Sequence, residues 1–403
     1  MVRLKTLPFF HTPSIFQSAI CFEMLLDRGM FPRTIDAVIV SQAYLKRSNR
    51  QKFLVLAMVF SLALNTFTPK ARAGAFAPRE GDEIVVAGQF VHTGTPVVLW
   101  LDPGGYDAYR VERRFSPVQK SDYDSTKAEI ADFGSPNRYG LRRGLTAEET
   151  ERVRGGGWDL ATLQKVVDQL VIHYDAAGTS RNCFKELQDV RDLSVHFMLD
   201  LDGTIYQTLD LKEQARHATI ANSRSVGIEI ANIGAWAAGE TNVFGQWYAR
   251  DTNGQTRITI PQRFGDGGLR KKGFIGQPAR PEPVAGKIQG EKLEQYDFTP
   301  EQYDALIKLT ATLCEVFPKL KCDCPRDAGG KVILAKLPDN VYTNYQGVLG
   351  HFHITTNKVD PGPAFQWDYV IEKARDLMGQ SSESKGQSPK PEGGNSTGTT
   401  QHE

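Results

Sequence analysis

Short strand-like runs alternate with amphipathic helical patterns between residues 159 and 350, and this alternation restricts the fold more than any other feature. Residues 170–174 (LVIHY) and 226–232 (VGIEIAN) have the apolar, β-branched character of buried strands. Residues 159–169 and 299–317 instead space their apolar side chains along one face of a helix. Strands alternating with such helices are typical of α/β folds. We therefore predict a mixed central β-sheet flanked by helices.

The first part of the chain has the pattern of an export signal. Basic residues precede an apolar run at 53–64, and the small-residue pattern Ala71-Arg72-Ala73 follows it. This order of basic segment, short apolar segment and cleavage site is typical of a secretory signal peptide. We predict that residues 1–73 are a leader and that the mature protein is exported, to the periplasm or outside the cell. An amphipathic or buried helix at 53–64 is the alternative.

A β-rich extension is predicted directly after the leader, over residues 74–145. Its run at 83–101 (EIVVAGQFVHTGTPVVLWL) is rich in β-branched and aromatic residues. Such runs on either side of a Gly-containing turn predict a β-hairpin. We place the turn at Thr93-Gly94.

The alternating pattern occupies residues 158–378 and is interrupted once. Residues 233–297 are rich in Gly, Pro, Arg and Lys and lack firm periodicity. We predict that they are an insertion, and long segments of this kind are often functional. Residues 379–403 are rich in Ser, Gly and Pro. They cannot bury enough apolar surface to offset the entropy of ordering, so we predict a disordered tail.

The composition excludes two classes of protein. With 48 Lys and Arg against 47 Asp and Glu, the formal net charge is +1. A dedicated nucleic-acid binder normally carries a basic excess, so we predict no nucleic-acid partner. The apolar run at 53–64 is shorter than the about 20 residues that span a membrane. We therefore predict no stable transmembrane anchor.

The cysteines favour structural disulfides over a metal site. Of the five cysteines, Cys21 falls in the predicted leader, and the others are Cys183, Cys314, Cys322 and Cys324. An even number in an exported protein is typical of disulfide pairing, although the connectivity does not follow from the sequence. The spacing of Cys322 and Cys324 does not suit a zinc ribbon.

A second pattern points to metal-assisted hydrolysis. His173 ends a strand, and His351 ends another, followed nine residues later by Asp360 in a Pro/Gly turn. Two histidines and one carboxylate are typical of a catalytic zinc site that keeps one position open. Such a site needs a base for water and a cation for the oxyanion. Glu229, on the opposite face of its strand from Ile228, suits the first role, and Lys358 suits the second.

The sequence resembles the zinc-dependent N-acetylmuramoyl-L-alanine amidases of the type-2 family, relatives of the peptidoglycan recognition proteins. Five blocks carry the resemblance, in the family's order: 171–174 (VIHY), 194–197 (SVHF) with 202–207 (DGTIYQ), 216–218 (RHA), 225–229 (SVGIE), and 350–351 (GH) with 358–363 (KVDPGP). They extend over about residues 165 to 375. The extension at 74–145 and the insertion at 233–297 lie outside the resemblance.

The resemblance implies roles for individual residues. Zinc would be bound by His173, His351 and Asp360, with Glu229 as base and Lys358 as oxyanion stabiliser. His217 and Asn232 are further candidates, for substrate binding. His353 could compete as a metal ligand, and His196 is predicted to be a structural histidine.

The function that the resemblance implies is hydrolysis of the amide between N-acetylmuramic acid and L-alanine in peptidoglycan. The partner would be peptidoglycan or a muropeptide fragment of it. Two alternatives stay open. One is a non-catalytic module that binds muropeptides, and the other is a zinc hydrolase acting on a different amide, because the ligands alone do not specify the substrate.

Overall fold

A six-stranded β-sheet lies at the centre of the structure, a computed structural model that describes residues 78–121, 137–237 and 239–386. The predicted leader, with its apolar run at 53–64, lies outside the described residues, as does most of the predicted tail. Within the described ranges, no helix is both long enough and apolar enough to cross a membrane.

The elements are numbered along the chain. The strands are β1 (Glu83–Val86), β2 (Gln89–His92), β3 (Val97–Leu99), β4 (Tyr139–Leu141), β5 (Gln169–Tyr174), β6 (Phe197–Leu199), β7 (Ile205–Gln207), β8 (Glu213–Ala215), β9 (Ser225–Ile230), β10 (Trp236–Ala237), β11 (Tyr248–Arg250), β12 (Thr256–Ile258), β13 (Val284–Ile288), β14 (Glu291–Gln295) and β15 (Gly347–Gly350). The α-helices are α1 (Ala147–Arg154), α2 (Leu160–Val166), α3 (Ser180–Lys185), α4 (Phe244–Trp247), α5 (Pro300–Val316), α6 (Asp339–Asn344) and α7 (Trp367–Gly386).

The central sheet is mixed, as the sequence predicts, with the order β15–β5–β9–β6–β7–β3. Its pairings are parallel except for β6 with β7. The register of β5 and β9 sets His173 beside Glu229. On the other side of β5, β15 ends at Gly350. The carboxyl ends of three neighbouring strands therefore meet at one edge, which is where open α/β sheets bind ligands.

The side chains of β9 alternate between the two faces of the sheet. Val226, Ile228 and Ile230 belong to the largest hydrophobic core, together with side chains of α2, α5 and α7. Glu229 points to the other face, as its period-two pattern predicts. Since helices cover the first face, the chemistry of β9 is confined to the second.

A capping box fixes the start of α5. The Thr299 side chain accepts a hydrogen bond from the Gln302 backbone, and the Gln302 side chain accepts one from the Thr299 backbone. The Gln302 Nε2 group also donates to the Ala231 carbonyl at 2.7 Å. The helix start is thereby tied to the end of β9, close to Glu229.

The extension at 74–145 is not a separate module. Its hairpin is β1 and β2, and it turns at Ala87-Gly88 rather than at the predicted Thr93-Gly94. Ala87 and Gly88 have φ values of 49° and 76°, as a two-residue hairpin turn requires, and both backbone N–H groups donate to Asp210. The chain then continues into β3, which pairs with β7 and forms an edge of the central sheet.

The insertion at 233–297 contains more regular structure than its sequence indicates. It holds α4, the two-stranded sheet β11–β12 and the three-stranded sheet β10–β14–β13. These strands are short, and those of the β13–β14 hairpin do not alternate apolar with polar side chains. Hydrophobic periodicity is therefore a weak indicator here.

The predicted tail begins too early. Helix α7 continues to Gly386, so the first residues of the 379–403 segment are helical. The stretch from Gln380 to Lys385 contains no proline and includes Glu383, which is compatible with a helix. Residues 387–403 lie outside the described residues.

The predicted disulfides are absent from the structure, where Cys183, Cys314, Cys322 and Cys324 are free thiols. Cys183 packs in a different hydrophobic cluster from Cys314 and Cys324. The Cys322 thiol donates to the Ile371 carbonyl at 3.8 Å. The separation of Cys183 is a consequence of the fold that the spacing of the cysteines does not reveal.

One buried carboxyl makes the stability depend on pH. Burial raises the pKa of Asp200 to about 8. Its Oδ1 accepts hydrogen bonds from the Ser180 and Leu201 backbones, whereas its Oδ2 has no partner among the described residues. The folded state therefore keeps a proton that the unfolded state loses near pH 4, so the free energy of unfolding falls as pH rises from about 4 to 8.

We expect Asp200→Asn to reduce this pH dependence by at most about 1.4 kcal/mol per pH unit. The measurement is urea unfolding at several pH values across that window. The exposed Asp304→Asn is the matched control, and we expect it to keep the wild-type slope. Equal slopes for the two variants would contradict a protonated Asp200 in the fold.

Candidate active site

Three candidate side chains converge where β5 and β15 end. His173 lies near the end of β5, and His351 begins a 3-10 turn directly after β15. Asp360 reaches the same place from a Pro/Gly turn. A Cβ atom on Gly350 would stand 2.7 Å from the ring of Pro361. Glycine at this position therefore allows the strand end to lie against the turn that carries Asp360.

The three side chains form a buried group that is able to hold a metal ion. The Asp360 Oδ2 atom lies 2.8 Å from His173 Nδ1 and 3.1 Å from His351 Nδ1. The exposed fractions are only 1% for His173, 6% for His351 and 7% for Asp360. One ligand atom from each lies within 4.8 Å of the others. The His351 Nε2 atom has no hydrogen-bond partner among the described residues.

The electrostatics of the group favour the protonation states that bind metals. Burial lowers the pKa of His173 to about 4, which keeps its imidazole neutral near pH 7. Burial opposes ionisation of Asp360, but His351 and His173 outweigh it and hold the pKa of this carboxyl far below its usual range. Neutral imidazole and ionised carboxylate are the forms that coordinate a metal. The two nitrogens and one oxygen are a donor set that suits zinc.

Glu229 lies beside this group on the neighbouring strand. Its Oε2 atom is buried and has no hydrogen-bond partner among the described residues. Burial raises the pKa of Glu229 well above its usual value, and the negative charge of Asp360 adds to the effect. The half-buried Lys358 is close enough for its charge to lower the pKa values of both Glu229 and His173. The five predicted catalytic and metal-binding residues therefore assemble at one place.

His217 lies against the group rather than out in a groove. Its Nδ1 is 3.0 Å from His173 Nε2, and its Nε2 is 3.2 Å from the Ser225 hydroxyl. A Cβ on Gly227 would stand 2.5 Å from the His217 ring, so glycine makes room for it. With His173 Nδ1 facing the group, its Nε2–H donates to His217 and fixes the ring. This contact favours a supporting role for His217 over the predicted contact with substrate.

The Asn232 side chain makes its hydrogen bonds within the protein. It is 3% exposed, its Nδ2 donates to the Tyr296 carbonyl, and its Oδ1 accepts from the Gly234 backbone and from Gln295. These bonds connect the end of β9 to the end of the insertion. They favour a structural role over the predicted substrate contact.

The two remaining candidate histidines are bonded elsewhere. His353 Nδ1 accepts from the Gly350 backbone, and its Nε2 donates to the Ile333 carbonyl. Because both nitrogens are occupied, His353 does not compete as a metal ligand. His196 is completely buried, and its ring bonds the Gly227 N–H and the Glu213 carbonyl. It is the structural histidine that the sequence predicts.

The sequence analysis did not identify Asp175, which supports the site through hydrogen bonds to backbone groups. Its Oδ1 atom accepts the backbone N–H groups of Ala177, Gly178 and Asn232. The side chain thereby ties the end of β5 to the end of β9, and burial raises its pKa to about 7. An Asp followed by Gly at the end of a strand is a turn signal. The bond to Asn232 connects distant parts of the chain and has no local signal.

Residues 163–363 match the sequence profile of the N-acetylmuramoyl-L-alanine amidase family. The chain belongs to this family. Its amidase domain contains all five residues of the candidate site. A search of curated proteins finds no match.

Several solved amidase structures are similar to the chain. One is a selenomethionine derivative of AmpD, with 16% identity over 59% of this chain and 89% of that one, at a TM-score of 0.27. Another is AmiD from E. coli in complex with the substrate anhydro-N-acetylmuramic acid-L-Ala-D-γ-Glu-L-Lys, with 19% identity, 51% and 57% coverage, and a TM-score of 0.28. The endolysin amidase LysCS from Clostridium intestinale URNW has 15% identity, 53% and 86% coverage, and a TM-score of 0.28.

Proposed function

We propose that the protein is a zinc-dependent peptidoglycan hydrolase that cleaves the amide between N-acetylmuramic acid and the L-alanine of the stem peptide. The observation that carries the proposal is the assembly of a buried His173–His351–Asp360 group beside Glu229, whose Oε2 atom has no hydrogen-bond partner among the described residues. The family supplies the reaction, and the arrangement supplies each group that the reaction needs.

His173, His351 and Asp360 would hold the metal through two nitrogens and one oxygen. A zinc ion in such a site polarises a carbonyl and lowers the pKa of bound water to about 7. The protein's own part is to present His173 neutral and Asp360 ionised, already close to His351. His217 supports this arrangement from behind, because its ring accepts the remaining N–H of His173.

Glu229 is the proposed base. Its carboxyl takes a proton from the attacking water and returns it to the amide nitrogen as the C–N bond breaks, leaving a carboxyl on the lactyl group and a free amine on alanine. Burial raises the pKa of the Glu229 carboxyl well above its usual value, so the proton that it accepts is held more firmly than on an exposed carboxylate. Positioned carboxyl groups of this kind serve as general bases and acids.

Lys358 is the proposed oxyanion stabiliser. Its side chain is half-buried next to Glu229 and His173, whose pKa values it lowers. A fixed positive charge aimed at the carbonyl oxygen stabilises the negative charge that develops there in the tetrahedral state. The same charge favours the ionised, proton-accepting form of Glu229.

The complete site favours catalysis over the alternative of a muropeptide-binding module. A binding module has no need for a base held without a partner beside a metal-binding group, because leaving a buried carboxyl unsatisfied costs stability. We further propose that residues 1–73 direct export, which would bring the protein to the intact cell wall. N-terminal sequencing of the secreted protein tests this, and a mature terminus well before Ala73 would contradict it.

Digestion of purified peptidoglycan, with and without a chelator, tests the function. We expect new alanine amino termini and new lactyl carboxyl groups in the mass spectra, loss of both with chelator, and their return when zinc is added back. Products with cleaved glycosidic bonds, or identical digestion in chelator, would contradict the proposal. Zinc binding without any cleavage would favour the muropeptide-binding module.

A further inference from the structure

The β13–β14 hairpin of the insertion lies against the loop 351–363, which carries His351, Lys358 and Asp360. We propose that this hairpin holds the loop in its active geometry and that Gln289, at the hairpin turn, is the positioning residue. The inference rests on the proposed function for the chemistry of the loop. The insertion lies outside the five sequence blocks that carry the resemblance, although it falls within the residues matched by the family profile.

The side-chain amide of Gln289 donates hydrogen bonds to backbone carbonyls of the loop. Its Nε2 atom lies 3.2 Å from the Phe352 carbonyl oxygen, 2.6 Å from that of Thr355 and 3.1 Å from that of Lys358. Three carbonyls share two N–H groups. The segment from just after His351 to Lys358 is therefore closed around a single side chain.

The glutamine is itself held in place. Its side-chain oxygen accepts the Lys336 N–H, and its backbone N–H donates to the Leu334 carbonyl. Gln289 has a φ of 55° and Gly290 a φ of 84°, which places both in the left-handed region used by tight hairpin turns. The preceding Ile288 is completely buried in the main core. The amide is therefore presented from a fixed backbone.

The far end of the hairpin holds the other end of the loop. Gln295 is completely buried, its Nε2 donates to the Pro361 carbonyl at 3.0 Å, and its Oε1 accepts the Ala364 N–H at 3.0 Å. A Cβ on Gly362 would stand 2.1 Å from Gln295 Oε1, and one on Gly286 would stand 2.6 Å from Pro363. Asp360 thus lies between two glutamines that the insertion supplies.

Gln289→Glu tests the proposal with little change of shape. The carboxylate still accepts the Lys336 N–H but has no N–H to donate, and it faces three carbonyl oxygens. We expect zinc affinity and kcat to fall about 10- to 100-fold, as when other supporting partners of metal ligands are lost. KM should change less, because Gln289 contacts the loop and not the substrate. Hydrogen exchange should become faster in residues 351–360 and stay unchanged in β5.

Gln262→Glu is the matched control, since Gln262 is an exposed glutamine of the same insertion. Both variants are measured by competition with a zinc chelator, by exchange and by kinetics. If Gln289→Glu does not fold, the same measurements are made on Gln289→Met, which keeps the length of the side chain without a charge. Wild-type zinc affinity and loop exchange in the folded variant would overturn the proposal. If the wild-type protein binds zinc but cleaves no amide, the proposed function is wrong. The zinc affinity and the hydrogen exchange of the loop still test the role of Gln289 in that case.

Discussion

Replacement of Glu229 by glutamine is expected to lower amide hydrolysis by about 10²–10⁴-fold, the range for loss of a general base. Glutamine fills the same volume on β9 but cannot accept a proton from water. The metal-binding atoms belong to other residues, so zinc content should stay at the wild-type level. Replacing a buried carboxyl whose Oε2 atom has no hydrogen-bond partner in the described part of the chain should also keep or raise the melting temperature.

The informative measurement combines zinc content per protein molecule with release of alanine amino termini from peptidoglycan. Glu148→Gln, an exposed change in α1, is the matched control, and we expect it to have wild-type activity. A Glu229→Gln protein that holds zinc and hydrolyses at the wild-type rate would show that another group is the base.

Asp360→Asn is expected to lose both the metal and the activity. Asp360 Oδ2 is the atom on which His173 and His351 both converge, and it supplies the negative charge of the group. Lewis-acid assistance contributes several kcal/mol to such reactions, so we expect hydrolysis to fall roughly 10²–10⁴-fold, to the level of chelator-treated wild type.

Zinc affinity and activity should be measured together at increasing zinc concentrations. Because asparagine is a weaker ligand, excess zinc should restore part of the activity of Asp360→Asn, whereas Glu229→Gln should not respond. The surface change Asp304→Asn is the control for general effects of losing a carboxylate. Full zinc occupancy with normal hydrolysis in Asp360→Asn would rule Asp360 out as a ligand.

The convergence of the candidate site residues was predictable from the sequence because each lies on a regular element or in a tight turn. Glu229 lies on a strand whose apolar residues alternate, so its side chain has to point away from the core shared by Ile228 and Ile230. His173 and His351 follow apolar runs that form neighbouring parallel strands, and the ends of such strands meet at one edge. For these residues, the local sequence pattern is enough to predict where the side chain lies in the fold.

Other parts of the site depend on contacts between distant segments. Nothing near His217 in the sequence shows that its ring packs over Gly227 and bonds His173. The same holds for Gln289, which lies in a segment without periodicity and whose role requires knowing where the 351–363 loop passes. Side chains that bond to backbone carbonyls leave no pattern in the sequence, because any carbonyl is an acceptor.

Strand β3 affects how the protein can be shortened. It joins the sheet by pairing Val97–Leu99 with β7, more than a hundred residues further along the chain. A chain cut back to residue 158 would contain every catalytic group but would expose the hydrogen-bonding edge of β7, and such an edge invites pairing between molecules. A shortened form that keeps this edge of β7 covered therefore begins ahead of Val97, although the first residue of the candidate site is His173.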